Sequence, residues 1–304
     1  MVPLVSVIIP AYKAENLILE ALMSVKAQTY PEWEVIVVED ASKDRSEEIV
    51  QDFVNIAGNK RVQYIRHQEN QGPAGARNTG MHHARGEYLA FLDCDDIWKK
   101  NHLEAAVNKL EESQADFAYS TVQVFEHENN KLLNTWGPTS EDLEQFPASL
   151  FPRNYIQPST VVMKKTITEG VGVFDTNPAL RGVEDLDYWL IIAAGGFKFV
   201  CVPEINCLYR KTKSALTSSL EIILERHALV QRKHRNLSII PTATREYLAT
   251  RSHLGVARRN LRKNPKKAAE FFLWAWKISP RGTIVTALVL MLEVLGIKSH
   301  KQPL

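Results

Sequence analysis

Three carboxylates stand within four residues at Asp93-Cys94-Asp95-Asp96. Like charges that close repel one another unless a cation is shared among them. A hard divalent ion, Mg2+ or Mn2+, takes one or two protein carboxylates and completes its shell with substrate phosphates. The same acids can instead serve the dipole of a helix opening near Ile97-Trp98. A second acidic group, Glu184-Asp185-x-Asp187, precedes the apolar run Tyr188-Trp189-Leu190-Ile191-Ile192. A carboxylate opening a helix beside a pocket can accept a hydroxyl proton, and it can equally do no more than satisfy backbone amides. The third group is Asn70-Gln71-Gly72-Pro73-Ala74-Gly75-Ala76-Arg77-Asn78. Its glycines let a backbone approach a ligand closely, free amides at a helix start favour an anion, and Arg77 can fork onto phosphate oxygens. The Gly72-x-x-Gly75 spacing is neither the dinucleotide fingerprint nor a P-loop, and a plain tight turn is the alternative.

These groups need a scaffold, and the hydrophobic pattern supplies one. Residues 4–9 and 33–38 are nearly continuous apolar runs, as expected of strands buried on both faces. Further strands are expected at 62–65 and 88–92, with helices at 17–25, 42–53 and 74–84 between them. Alternation at this spacing predicts a parallel sheet with helices on both faces. In such a sheet ligands bind outside the carboxyl ends of the strands. There stand Pro10-Ala11-Tyr12, Glu39-Asp40-Ala41-Ser42, Asn70-Gln71-Gly72 beyond Arg66, and the triple acid. After residue 92 the rhythm changes. A helix at 101–110, β-rich 117–125 pairing with 131–135, an irregular 137–152, a strand at 159–163, a helix at 185–194 and short strands at 197–202 and 207–209 predict a mixed sheet. The α/β domain is expected to span 1–215. Residues 216–304 read as helical, at 219–236, 243–262, 265–277 and 283–296, with Pro241, Pro265 and Pro280 at the turns.

Composition narrows the class. The chain has 304 residues, 45% hydrophobic and 24% charged, which excludes wholesale disorder and collagen-like repeats. Cys94, Cys201 and Cys207 form no C-x-x-C pair and read as reduced thiols rather than a disulfide framework or a zinc site. The apolar run 4–9 has no basic segment before it and no small-residue cleavage site after it, so no signal peptide is expected and the expected location is cytoplasmic. A net charge of +2 hides an asymmetry: residues 226–281 carry 14 Lys and Arg against two acids, Glu246 and Glu270, while the rest of the chain is net acidic. A cationic end suits an anionic membrane surface, although a solvated helix face without a partner shows the same pattern. Residues 282–292 form an uncharged apolar stretch flanked by Arg281 and Lys298. It is shorter than the roughly 20 residues that a spanning helix requires, and it predicts an in-plane, peripheral association with the inner face of the membrane. No motif points to nucleic acid.

The ordered set Val5-Ser6-Val7-Ile8-Ile9-Pro10-Ala11-Tyr12, Glu39-Asp40-Ala41-Ser42-Lys43-Asp44, Asn70-x-Gly72-x-x-x-Ala76-Arg77-Asn78-x-Gly80, Asp93-x-Asp95-Asp96 and Glu184-Asp185 resembles the family-2 glycosyltransferases of the GT-A fold. The resemblance runs from Val5 to about Arg210. It implies an α/β GT-A fold, a Rossmann-like mixed sheet carrying here a C-terminal helical extension, and the inverting transfer of a sugar from a nucleoside diphosphate, UDP foremost. It implies that Pro10, Ala11, Tyr12 and Asp40 hold the nucleobase, with Tyr12 stacking and Asp40 accepting from a ring N–H. Glu15 would touch base or ribose, Gly72 and Arg77 would lie near the nucleotide, and Asp93 near the ribose or the metal shell. Asp95 of the DXD motif would ligate Mn2+ or Mg2+, and Asp185 would be the catalytic base. Glu184, Gln157, Ser159 and Trp189 would lie toward the acceptor, a glycan or a lipid-linked sugar of cell-surface polysaccharide or glycolipid synthesis. Two departures stand out. Members often carry a metal-ligating His shortly after a Tyr-Arg pair, whereas Tyr209-Arg210 is followed by Lys211-Thr212-Lys213. Glu39 also stands where many members have Asp.

Two other readings compete with an enzyme of this kind. A nucleotidyltransferase on a related sheet would want a glycine-rich basic loop after the first strand, where Pro10-Ala11-Tyr12-Lys13 has no glycine. A non-catalytic sugar-nucleotide binder or scaffold would keep the donor residues without needing the base.

Overall fold

The computed structural model describes residues 2–57, 61–212, 220–261, 263–284 and 286–287. In chain order the elements begin β1 (Val5–Ala11), α1 (Ile18–Lys26), β2 (Trp33–Glu39), α2 (Ser46–Ala57), β3 (Val62–Arg66), α3 (Gly72–His83) and β4 (Tyr88–Phe91). Next come β5 (Ile97–Trp98), α4 (His102–Ser113), β6 (Phe117–Glu126), β7 (Leu132–Trp136), α5 (Ser140–Glu144), β8 (Val162–Lys164) and α6 (Thr166–Val171). The order closes with α7 (Glu184–Ala194), β9 (Phe199–Lys211), α8 (Leu220–Lys233), α9 (Thr242–Asn260) and α10 (Pro265–Ile278).

The strands form one mixed sheet in the order β3-β2-β1-β4-β8-β6-β9-β5, with β7 paired to β6 off this path. β1, β2, β3 and β4 run parallel, β8 is antiparallel to both β4 and β6, and β9 lies parallel to β6. Every residue of β1 and β2 is buried, as their unbroken apolar runs require when helices cover both faces. Two expectations are corrected. The segments at 197–202 and 207–209 are parts of the single strand β9, because β6 is long enough to pair along both with a register shift between Ser120 and Val122. The irregular 137–152 contains the helix α5, started by a capping box between Thr139 and Asp142.

The topology creates the crevice. The chain moves outward from β1 through β2 to β3, then returns to place β4 on the other side of β1, so the connections leave in opposite directions between β1 and β4. The last β1–β4 pair is Ile8 with Phe91, and the Leu92 N–H donates to the Ile8 carbonyl at 3.0 Å. Pro10 faces the same side one step further on, where β4 has ended, so its missing N–H costs the ladder nothing. Past these ends the Tyr12 backbone hydrogen-bonds the Cys94 sulfur, which keeps the loops after β1 and β4 together.

The chain divides into two units, one of residues 1–146 with 154–218 and one of 147–153 with 219–304. The second unit centres on Ala228, Val256, Ala257 and Phe271 from α8, α9 and α10. The 147–153 segment is tied into it by Gln231, whose Nε2 donates to the Phe151 carbonyl at 2.8 Å. Most of the helix expected at 283–296, and Lys213, lie outside the described residues. Among those residues no helix is long and apolar enough to cross a membrane. The three cysteines are free thiols.

Gly80 shows how closely α3 lies on the sheet: a Cβ there would come within 2.4 Å of the Ile8 side chain. Gly80→Ala is expected to overpack this contact and destabilise the protein by roughly 1–3 kcal/mol, read as a lower urea midpoint at unchanged slope.

Candidate active site

The site is assembled by one buried cation. Arg77 lies on the second turn of α3 and is 3% exposed. Its Nη2 donates to Asp93 Oδ1 at 2.7 Å and its Nη1 to Glu184 Oε1 at 3.0 Å. One guanidinium thus joins the acids after β4 to the acids that open α7, groups 91 residues apart in sequence. Burial acts against the Arg77 charge, but the carboxylates of Asp93 and Glu184 outweigh it and keep the guanidinium protonated. The fork expected to grip phosphate is occupied by protein carboxylates instead.

Asp185 stands next to this bridge, 8% exposed. Its Oδ2 accepts from Asn154 Nδ2 at 2.7 Å and its Oδ1 from the Leu186 N–H at 2.8 Å. Asn154 is oriented in turn by the Ile156 N–H, which donates to its Oδ1 at 3.2 Å. Burial pushes the Asp185 carboxyl up to about 7, and the Glu184 charge adds to the push.

The acids after β4 divide by role. Asp96 is 1% exposed, and it accepts from the Ser159 hydroxyl at 2.6 Å and the Arg210 N–H at 2.9 Å. Ser159 also accepts from the Asp93 N–H at 3.0 Å, so it fixes the shape of the turn. Arg210 donates from Nε to the Asp95 carbonyl at 2.7 Å and reaches Glu20 at 3.0 Å. Asp95 is the acid of the three whose carboxylate no other side chain holds among the described residues. Burial and the neighbouring Asp93 charge push it up to about 6. Among the described residues no three acids, histidines or cysteines are grouped to hold a metal by themselves. The donor set therefore fits a cation that Asp95 would share with phosphates of a substrate, and not one caged by protein.

At the other wall Tyr12 is 48% exposed with Lys13 Nζ 5.3 Å from its ring centroid, and Ala11 is buried. Glu15 receives the Arg45 N–H at 3.1 Å while its own N–H donates to Asp44 at 3.0 Å, which ties the loop after β1 to that after β2. Asp40 is 3% exposed. It accepts from the Gln71 and Gly72 N–H groups at 2.8 and 2.7 Å and lies 2.8 Å from His67 Nδ1. The anion at the start of α3 is therefore the Asp40 side chain. Gly72 has φ +79°, and a Cβ there would lie 2.8 Å from the Arg181 guanidinium, so both conformation and space demand glycine.

Trp189, expected toward the acceptor, is fully buried among Phe91, Phe117, Phe174 and Tyr188, with its Nε1 donating to the Ile156 carbonyl at 3.2 Å. It supports the segment carrying Asn154 from behind. Ser159 is likewise wholly buried, whereas Gln157 is partly exposed. Sequence reading missed Asn154, Arg181 and His67. None sits in a periodic pattern, and only the meeting of distant loops gives them partners.

Comparison with known proteins agrees with this architecture. The family described as Glycosyl transferase family 2 matches residues 6–169. A Bacillus subtilis protein, "Putative teichuronic acid biosynthesis glycosyltransferase TuaG", is 31% identical over 217 residues, covering 71% of this chain and 82% of that protein. The chain spans only 26–30% of the length of three Rickettsia relatives named as uncharacterized glycosyltransferases. Among solved structures, Staphylococcus aureus TarS 1–349 in complex with UDP-GlcNAc superposes with a TM-score of 0.69 at 20% identity, over 90% of this chain and 80% of that one. Mannosyltransferase PcManGT from Pyrobaculum calidifontis, in complex with GDP-Man and Mn2+, gives 0.64 at 20% identity, over 99% and 89%. The chain belongs to glycosyl transferase family 2 and is a glycosyltransferase with the GT-A fold.

Removing the bridging cation leaves two acids facing each other with no cation between them. Arg77→Met is expected to lower stability by about 3–5 kcal/mol in urea titration, with Arg77→Lys recovering part of the loss.

Proposed function

We propose that this protein transfers a glycosyl group from a nucleoside diphosphate sugar, with UDP as the nucleotide, to a hydroxyl of a glycan or lipid-linked acceptor, inverting the anomeric carbon. The observation that carries the reading is Asp185: a buried carboxylate near neutral pKa, joined through Glu184 and Arg77 to the acids after β4. A general base works best when its pKa lies near the working pH. In this reading Asp185 takes the proton of the acceptor hydroxyl as that oxygen bonds to the anomeric carbon. The bond from that carbon to the diphosphate oxygen breaks, and its electron pair leaves with the nucleoside diphosphate. Attack opposite the leaving group inverts the centre.

A divalent cation, Mn2+ or Mg2+, would supply the positive charge that makes the diphosphate a competent leaving group, with Asp95 as its protein ligand. Tyr12 stacks on the base, and Pro10, Ala11, Glu15, Asp40 and Gly72 shape the wall around it. Asp93, held by Arg77, faces the ribose, and Glu184 and Gln157 lie on the acceptor side. Arg77 is a positioning residue, because its donors are spent on carboxylates. The relative named for teichuronic acid biosynthesis supports a role in cell-surface polysaccharide synthesis.

The Asp185 assignment predicts a pH dependence. Its folded-state pKa lies above the ordinary carboxylate value, so folding binds a proton there. The stability it contributes is complete below the ordinary carboxylate range and is lost as pH rises through about 7. The charged, active form appears over the same interval. Transfer from UDP-sugars with Mn2+ should therefore rise with pH through an apparent pKa near 7. Asp185→Asn should cut kcat by roughly 10²–10⁴-fold with donor binding kept, and should raise the melting temperature relative to the parent protein above pH 7. Full activity in Asp185→Asn would exclude the base. Loss of the Mn2+-dependent thermal shift by UDP in Asp95→Ala checks the cation ligand.

We also propose that the second unit rests on an anionic membrane surface. Phe272, Leu273 and Trp276 of α10 are 44%, 57% and 45% exposed, whereas its Ala268, Phe271 and Ala275 are buried. Lys266 and Lys277 stand on the same helix, and Arg281 follows it. Apolar and aromatic side chains beside lysines suit the headgroup boundary. Flotation should recover the protein with vesicles rich in phosphatidylglycerol and not with phosphatidylcholine alone, and Phe272→Ser/Trp276→Ser should abolish recovery. Equal recovery with both lipids would exclude the electrostatic part.

A further inference from the structure

Within the second unit a cavity of about 430 Å3 opens between α8 and α9. Its floor is one face of α9: Leu248, Arg251, Ser252, Gly255, Arg258 and Arg259 line it. These positions recur at spacings of three and four and so lie one above another along the helix. Leu224 and His227 of α8 and Pro152 complete the wall.

Three arginines, all reaching solvent, share one helix face and repel one another. Two of the acids of this unit are engaged elsewhere: Glu221 pairs with Lys263 at 3.0 Å and Glu225 with Lys267. The guanidinium groups of Arg258 and Arg259 meet no hydrogen-bond or ionic partner among the described residues, and Arg251 reaches only the Tyr247 hydroxyl, at 3.2 Å. A further polar atom on the wall, His227 Nε2, is buried with no partner.

Gly255 supplies a separate indication. A glycine inside a helix costs about 1 kcal/mol relative to alanine, so an interior glycine calls for a reason. At Gly80 the reason is packing against Ile8. At Gly255 a Cβ would meet only Arg259 Nη1, at 3.6 Å, an ordinary contact. Packing does not require this glycine. What it provides is open space on the floor of the cavity, between arginines.

We propose that this cavity is a binding site for a phosphate-bearing ligand, its phosphate or diphosphate held by Arg251, Arg258 and Arg259 and its apolar substituent laid on Leu224, Leu248 and Pro152. Guanidinium forks match phosphate oxygens in pairs, and an anion relieves the repulsion among them. Ser252 and His227 offer further hydrogen bonds to its oxygens. The ligand can be a lipid headgroup with part of its chain or a soluble phosphate ester. The site lies wholly in the second unit, and the proposal does not rest on the transfer reaction.

Calorimetric titration of the full chain tests it with inorganic pyrophosphate, farnesyl diphosphate and farnesol. Both diphosphates should bind and farnesol should not. Affinity should fall at least about tenfold in Arg258→Gln/Arg259→Gln and in Gly255→Leu, which fills the cavity, while thermal shift by UDP with Mn2+ stays as in the parent protein. Farnesyl diphosphate binding about tenfold or more tightly than pyrophosphate assigns a lipid source, because the leucines and the proline then bury its chain. Equal affinities assign a soluble one. Failure of either diphosphate to bind, or affinities unmoved in both variants, would overturn the proposal.

Discussion

The bridge from Asp93 through Arg77 to Glu184 is the constraint on which the rest of the site depends. A guanidinium buried to this degree is tolerated only beside carboxylates, and Glu184, buried as deeply, is held by it in turn. Neither motif can move away from the other without leaving a charge stranded in a poorly solvated place. The bridge fixes Glu184 at the start of α7 and, beside it, Asp185. The Glu184 charge in turn adds to what burial does to Asp185, so the interaction that assembles the site also tunes the group best suited to take a proton.

A second feature follows the same logic. The start of α3 is a ready anion site, and the protein fills it with its own anion, Asp40. Ser159 behaves similarly, spending its hydroxyl on Asp96 and the Asp93 backbone. Around the crevice most polar groups are committed to one another. The groups left over are few and of distinct kinds, the exposed Tyr12 ring and the Asp95 carboxylate, while Asp185 is held by Asn154 and the Leu186 N–H yet pushed up to about 7. That contrast between committed and uncommitted groups separates the parts that hold the site from the parts that meet a ligand.

The second unit is built on the opposite electrostatic plan. Its small core comes from alanines, a valine and Phe271, and its cations outnumber the acids that could neutralise them. Lys263 and Lys267 find glutamates, whereas Arg251, Arg258 and Arg259 of α9 find none among the described residues. Cationic side chains on a helix face beside a cavity, together with apolar side chains facing solvent on α10, would suit anionic and amphiphilic partners.

The sequence alone determined the frame: apolar runs at 4–9 and 33–38 can only be strands covered on both faces, and strand–helix alternation puts Tyr12, Asp40 and the triple acid at strand ends. It also carried the family, because motifs in fixed order constrain a fold more than any one of them does. It did not decide which groups are committed. Nothing local distinguishes Asp96, locked beneath Ser159, from Asp95, or marks Trp189 as core when it follows an acidic helix start. Asn154 was unreadable because its stretch has no periodicity, and its bond to Asp185 spans 31 residues. Arg77 looked like a phosphate ligand until the fold placed two carboxylates against it. Local spacing encodes which elements form and which ends carry polar groups. The partner of a buried charge is chosen by the burial of elements distant in sequence, and that choice exists only once the chain has folded.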